Sequence, residues 1–153
     1  FTGYFPEGGL LLKQLRDLKV DIPFIGGDAN NNPEIVKIAG AASKGFITTT
    51  LPLPSDLPYP EAKKFLEDYK AKYGEVKSIW TVTAADAFRL IVEAIKQTNS
   101  TDPAKLAEYL HKNLKDFQGF TGLISYDEKG DRKGASHRAY VVDDQGKFVP
   151  FKK

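Results

Sequence analysis

The stretch Gly26-Gly27-Asp28-Ala29-Asn30-Asn31-Asn32 gathers residue types suited to holding a small polar molecule. It follows a compact apolar run, Ile22-Pro23-Phe24-Ile25, that reads as a buried strand. It leads into Asn32-Pro33-Glu34, a helix start with Asn as cap, Pro at the first helical position and an acid in the first turn. In open α/β sheets, ligands bind at this place, where a strand ends and a helix begins. The glycines let a ligand approach the backbone, and the Asp28 carboxylate offers a charge-assisted partner for an ammonium group. A capped loop with no ligand accounts for the same residues, and the motif taken alone favours that plainer reading. It is not a phosphate loop, because neither GxGxxG nor GK[ST] is present. Phe1 to Tyr4 reads as the end of another buried strand, which would bring the Tyr4 hydroxyl to the same crevice. A packing or surface tyrosine is the equal alternative.

No other group of residues predicts a reaction. His111 and His137 are far apart and lack spaced carboxylates, so they read as solvated histidines and not as metal ligands. Asp127, Glu128 and Asp131 fall in a turn but lack the alternating ligands and terminal Glu of a calcium loop. There is no Cys and no Ser/His/Asp ordering for nucleophilic catalysis. Trp80 reads as a core residue with the option of covering a pocket. An enzyme using Asp28 would need a base, nucleophile or metal that nothing nearby supplies. The expectation is therefore no catalytic residue, no metal and no cofactor.

The elements that must position Asp28 and Tyr4 belong to an ordinary globular chain. Its 153 residues are 41% hydrophobic and 27% charged. The net charge of +2 comes from 22 basic and 20 acidic residues, which gives no electrostatic case for nucleic acid or a membrane surface. No apolar run approaches the ~20 residues that cross a bilayer, and no signal-peptide pattern stands at the start.

Along the chain, residues 6–18 predict an amphipathic helix with Leu11, Leu15 and Leu18 on its apolar face. The 22–25 strand, a helix from Asn32 to Gly40 and a strand at 45–50 follow, in the order of an open parallel sheet. The Pro-rich stretch 51–58 is a stiff extended connector. Helices are then predicted at 60–73, with Ala62, Phe65, Leu66, Tyr69 and Tyr73 inward, and at 84–97, burying Phe88, Ile91, Val92 and Ile95. Asp102-Pro103 starts a third, with Leu106, Ala107 and Leu110 inward. A strand at 121–126, a turn at 127–131 and a hairpin of 139–142 with 147–151 complete the chain.

Six segments in register carry a family resemblance. They are Gly3-Tyr4-Phe5-Pro6-Glu7, Phe24-Ile25-Gly26-Gly27-Asp28, Tyr59-Pro60-Glu61-Ala62 with Tyr69-Lys70-Ala71-Lys72-Tyr73-Gly74, Ala84-Ala85-Asp86-Ala87, Gly119-Phe120-Thr121-Gly122, and Tyr126-Asp127-Glu128-Lys129-Gly130-Asp131. The chain resembles the C-terminal half of the leucine/isoleucine/valine-binding proteins, type I periplasmic receptors of branched-chain amino acid ABC transporters. Thr83 and Ser136-His137-Arg138 depart from the family pattern.

The resemblance implies a Rossmann-like, open, mainly parallel sheet flanked by helices, present as the C-terminal half of a two-lobe protein. It implies that residues 1–51 belong to the C-terminal lobe, 52–134 to the N-terminal lobe after a Pro-rich crossover, and 135–153 to the C-terminal lobe again. Tyr4 then matches a ligand-contacting tyrosine, and Asp28 the acid that takes the α-ammonium group. The implied protein is not an enzyme. It is periplasmic or extracellular, binds a branched-chain or related amino acid and docks on the transporter's membrane subunits. The chain would begin well inside that receptor, so a complementary N-terminal half or a second copy of the chain is expected to cover its open faces. A truncated or engineered α/β fragment without ligand function is the alternative.

Overall fold

The computed structural model describes residues 1–135 and 137–152, so Ser136, named above, lies outside the described residues. The chain divides into two compact units, Phe1–Pro52 with Ser136–Lys153, and Leu53–Ala135.

The first unit contains helix α1 (Phe5–Asp17), strand β1 (Ile25–Gly26), helix α2 (Pro33–Ala39), strand β2 (Ile47–Thr50) and the hairpin β5 (Arg138–Val142) and β6 (Phe148–Pro150). The strand order is β1-β2-β5-β6. β1 and β2 run parallel because α2 carries the chain back between them. β2–β5 and β5–β6 are antiparallel. The sheet is therefore mixed, and the expectation of a mainly parallel sheet is corrected. The helix–strand alternation that suggested it extends through one pairing only, and the tight 143–146 turn forces the last pair antiparallel.

Phe1 to Tyr4 is not a strand. Tyr4 is extended and serves as the N-cap of α1, whose first turn holds Pro6. The buried face of α1 also differs from the expected Leu11/Leu15/Leu18 stripe, since it is formed by Gly8, Gly9 and Leu12, while Leu18 is 74% exposed. The glycines let the helix approach α2 closely: a Cβ on Gly9 would lie 2.9 Å from Ile38 Cβ. The core gathers Leu12, Phe24, Ile35, Ala39, Phe46 and Val142. Asn32 caps α2 as expected, accepting the Glu34 N–H at 2.9 Å, and Gly40 ends it with φ of 59°.

The second unit contains α3 (Pro60–Tyr73), α4 (Ile79–Thr98), α5 (Pro103–Lys112) and the hairpin β3 (Phe117–Gly119) and β4 (Gly122–Ile124). The 51–58 connector is interrupted by one 3₁₀ turn at Pro54–Asp56. α3 has the expected bounds, but only Ala62 is buried and Tyr73 is 72% exposed. α4 starts earlier than expected, at a Ser78 cap, and turns a different face inward. Ile79, Val82, Asp86, Leu90 and Ala94 are buried, whereas Phe88 and Ile91 are exposed. A polarity pattern assigns Asp86 to solvent, and that misplaces the whole stripe. Trp80, expected in the core, is 47% exposed. In α5, capped by Asp102 at Lys105 N–H, Leu106 and Leu110 are half-buried and Ala107 is exposed. The predicted 121–126 strand is a two-stranded hairpin instead, with Phe120-Thr121 at its turn and φ of 95° at Gly122.

Candidate functional site

The turn after β1 is a single 3₁₀ turn, Asp28–Asn30. The Asn30 N–H donates to Gly27 O at 3.1 Å, and the Asn31 N–H to Asp28 O at 2.9 Å. Asp28 is half-buried, and its Oδ1 accepts the Ala29 N–H at 2.7 Å. Its side chain makes no other hydrogen bond or ion pair among the described residues, so an ionised carboxylate here keeps most of its accepting capacity. β1 and β2 are parallel, so their carboxyl ends share one edge, and Thr48 Oγ1 ties the turn to that edge by donating to Gly27 O at 2.7 Å.

Tyr4 is 71% exposed. The segment that carries it lies against the same turn. The Phe1 nitrogen donates to Ile25 O at 2.9 Å, and the Phe1 ring stacks on Phe24 with centroids 5.9 Å apart. Asn30 Nδ2 donates to Gly3 O at 2.8 Å. The residue before Tyr4 is thus bonded to the residue two after Asp28, and the two sequence-predicted residues sit on adjoining backbone segments.

Sequence reasoning missed what lies beneath them. Asn30 is fully buried and Asn31 is 6% exposed, although an Asn run reads as a solvated loop. Among the described residues, Asn30 Oδ1, Asn31 Nδ2 and Thr50 Oγ1 are buried without a hydrogen-bond partner. Each such group costs about 1–3 kcal/mol. Thr50 is at the carboxyl end of β2, the edge to which the Asp28 turn is tied. Nothing in the run Thr48-Thr49-Thr50 marks which threonines turn inward, and the structure buries Thr48 and Thr50 fully.

The second unit holds a different carboxylate. Asp86 on α4 is 3% exposed and accepts from Phe120 N at 2.7 Å, Thr121 N at 2.9 Å and Thr121 Oγ1 at 2.6 Å. Arg132 donates to Thr121 Oγ1 at 2.7 Å, to Thr121 O at 2.9 Å and to Leu123 O at 3.1 Å. Arg89 lies 3.6 Å from Asp86 and 4.4 Å over the Phe120 ring. Asp86 is consumed by its own fold and holds the β3–β4 turn closed.

A groove of about 540 Å³ opens in the same unit beside His111, Asp116, Ser125 and Asp127. These four residues are already engaged with one another or with the backbone of the 127–131 turn. His111 Nε2 lies 3.0 Å from the Asp127 and Glu128 carbonyls, and Ser125 Oγ meets both the N–H and the carboxylate of Asp116. His111 is exposed, as the sequence implied, but is pinned to the 127–131 turn. Among the described residues no group of three or more His, Cys, Asp or Glu is placed to hold a metal ion. Among the described residues no helix is long and apolar enough to cross a membrane. Burial raises the Tyr109 phenol, and hydrogen-bonded carboxylates raise the exposed Lys44, Lys64 and Lys70.

A family profile described as periplasmic binding protein matches residues 1–147. The Pseudomonas aeruginosa leucine-, isoleucine-, valine-, threonine- and alanine-binding protein is 37% identical over 140 residues, 92% of this chain and 36% of that protein. A crystal structure of a leucine-binding protein from Thermotoga maritima superposes with a TM-score of 0.87 at 34% identity, covering 99% of this chain and 42% of that one. A branched-chain amino acid transporter substrate-binding protein from Streptococcus pneumoniae, in complex with isoleucine, gives a TM-score of 0.76 at 30% identity, over 96% of this chain and 41% of that one. The chain therefore spans well under half the length of the relatives it matches.

Proposed function

This chain belongs to the periplasmic binding proteins, a family of binders without catalytic function, and from that premise we propose that it forms one side of an amino-acid site in a branched-chain amino acid receptor. In this reading Asp28 takes the α-ammonium group of the ligand and Tyr4 contacts it from the adjoining segment. The observation that carries the reading is the half-buried Asp28 carboxylate at the carboxyl edge of β1 and β2, whose one bond among the described residues is accepted from the Ala29 N–H. An ammonium group desolvated against it would form a charge-assisted hydrogen bond. The relatives are named for leucine, isoleucine and valine, one of them also for threonine and alanine, so a branched-chain or related amino acid is the proposed ligand class.

The unit boundaries at Pro52 and Ser136 support residues 1–51 and 135–153 lying in a C-terminal lobe and 52–134 in an N-terminal one. The proposed location is periplasmic or extracellular, with transporter membrane subunits as the docking partner. Phe88 at 68%, Leu123 at 55% and Ile91 at 48% exposure leave apolar surface on the second unit. A complementary N-terminal half, or else a second copy of the chain, is the proposed cover for it.

Fusion to the upstream half of the Thermotoga maritima relative tests the reading. Calorimetry should show leucine binding by the fusion and much weaker or no binding by the 153-residue chain alone. A folded fusion that ignores leucine contradicts it.

A further inference from the structure

We propose that Asn30 is the positioning residue that sets Tyr4 against the Asp28 turn. The proposal rests on the reading of Tyr4 and Asp28 as ligand contacts. Asn30 is fully buried, yet it lies two residues from a half-exposed acid in a turn that needs no amide side chain for its own closure. Backbone bonds alone close that turn, from Asn30 N–H to Gly27 O and from Asn31 N–H to Asp28 O. The Asn30 side chain reaches across 27 positions of sequence and donates to Gly3 O at 2.8 Å. Gly3 O belongs to the peptide that joins Gly3 to Tyr4, so this one bond fixes the peptide plane from which Tyr4 projects.

The surroundings hold the amide from the other sides. A Cβ on Gly8 would lie 2.5 Å from Asn30 Oδ1, and a Cβ on Gly26 would lie 2.9 Å from Asn30 Cβ. Two glycines, one in the first turns of α1 and one at the end of β1, therefore make the space that Asn30 fills. Oδ1 has no hydrogen-bond partner there. A buried oxygen without a partner is unfavourable, so Asn30 is a poor choice for stability alone. What the amide supplies that an apolar side chain of similar size does not is the donor to Gly3 O. An aspartate would supply no donor and would set a buried charge against a carbonyl oxygen.

The test has two readouts. In the isotopically labelled chain, Asn30→Leu should remove the nuclear Overhauser contacts between the Tyr4 segment and the Asp28–Asn30 turn. The methyl shifts of Ala39 and Val142, in the core of the same unit, should stay in place. Gly8→Ala should do the same, because its Cβ would lie 2.5 Å from Asn30 Oδ1 and 3.1 Å from the Phe1 ring, even though alanine favours a helix over glycine. It provides a second route if Asn30→Leu fails to fold.

In the leucine-binding fusion, Asn30→Leu should weaken leucine roughly ten- to hundredfold, the usual cost of a displaced binding group. In a Tyr4→Ala background it should add almost nothing, because the residue it positions is gone. Unchanged contacts of the Tyr4 segment in both variants would overturn the proposal. So would an equal loss of affinity in both backgrounds. If Tyr4→Ala and Asp28→Ala leave leucine affinity untouched, the ligand reading fails instead, and the contact measurement still decides whether Asn30 places Tyr4.

Discussion

Two aspartates of this chain, Asp28 within a glycine-bearing turn and Asp86 on α4 against another, are given opposite parts by their surroundings. Asp86 is 3% exposed and accepts three hydrogen bonds from the β3–β4 turn, with Arg89 3.6 Å away. Asp28 is half-buried and accepts one bond, from the N–H of the next residue. A carboxylate has about four acceptor positions. Where the fold fills them, the acid is a structural clasp. Where it leaves them open at the carboxyl edge of parallel strands, the acid is available to a cation from outside. The glycines differ in the same sense. Gly119 lets Asp86 close on the hairpin, since a Cβ there would lie 2.8 Å from its Oδ2, whereas a Cβ on Gly27 would meet nothing within 4 Å.

The comparison breaks most readily at Asp86. Asp86→Ala leaves two half-buried backbone N–H groups and the Thr121 hydroxyl without their acceptor and removes the carboxylate 3.6 Å from Arg89, and should cost roughly 3–5 kcal/mol in urea unfolding of the second unit. A loss under about 1 kcal/mol would show that the clasp is dispensable. Arg132→Ala removes three donated bonds from the same hairpin and should cost about 1.5–3 kcal/mol, read as faster amide exchange at residues 121–123. Asp102→Ala removes the cap of α5 and should cost about 1 kcal/mol by the same unfolding assay. Asp28→Ala should change stability by no more than about 0.5 kcal/mol, because one local bond is all the fold loses. A larger loss would move Asp28 into the structural class with Asp86.

The smallest effect is one of pH. Burial raises the Tyr109 phenol above its ordinary value of 10.0, so the unfolded chain releases that proton first as pH rises. Its contribution is complete below pH 10 and declines above it, and Tyr109→Phe should flatten the alkaline limb of the unfolding midpoint.

The capped helices were legible because their signals are local. Asn32-Pro33-Glu34 and Asp102-Pro103 state their own termini, and the structure uses both caps. The 143–146 hairpin was legible for the same reason. Helix faces were not. Gly8 and Gly9 carry no hydrophobic signal, yet they make the α1 contact, and Asp86 looks solvated while it anchors α4. A buried polar residue becomes visible only when its distant partners are known: Gly3 for Asn30, Phe120 and Thr121 for Asp86. The mixed sheet was hidden likewise, because β5 pairs with β2 across nearly ninety residues of sequence. At the candidate site, the turn and the acid were readable at Gly26-Gly27-Asp28, and the 3₁₀ geometry and the tether that draws Gly3 and Tyr4 alongside were not.

The central claim is that Asp28 supplies the ammonium partner of an amino-acid ligand. It is tested most directly by calorimetric titration of leucine into the fusion receptor and its Asp28→Ala variant under one set of conditions. The account predicts a loss of roughly 2–5 kcal/mol in binding free energy for a buried charge pair deprived of one partner. It also predicts an unfolding midpoint without ligand that stays in place. Unchanged leucine affinity in a folded Asp28→Ala receptor would contradict it.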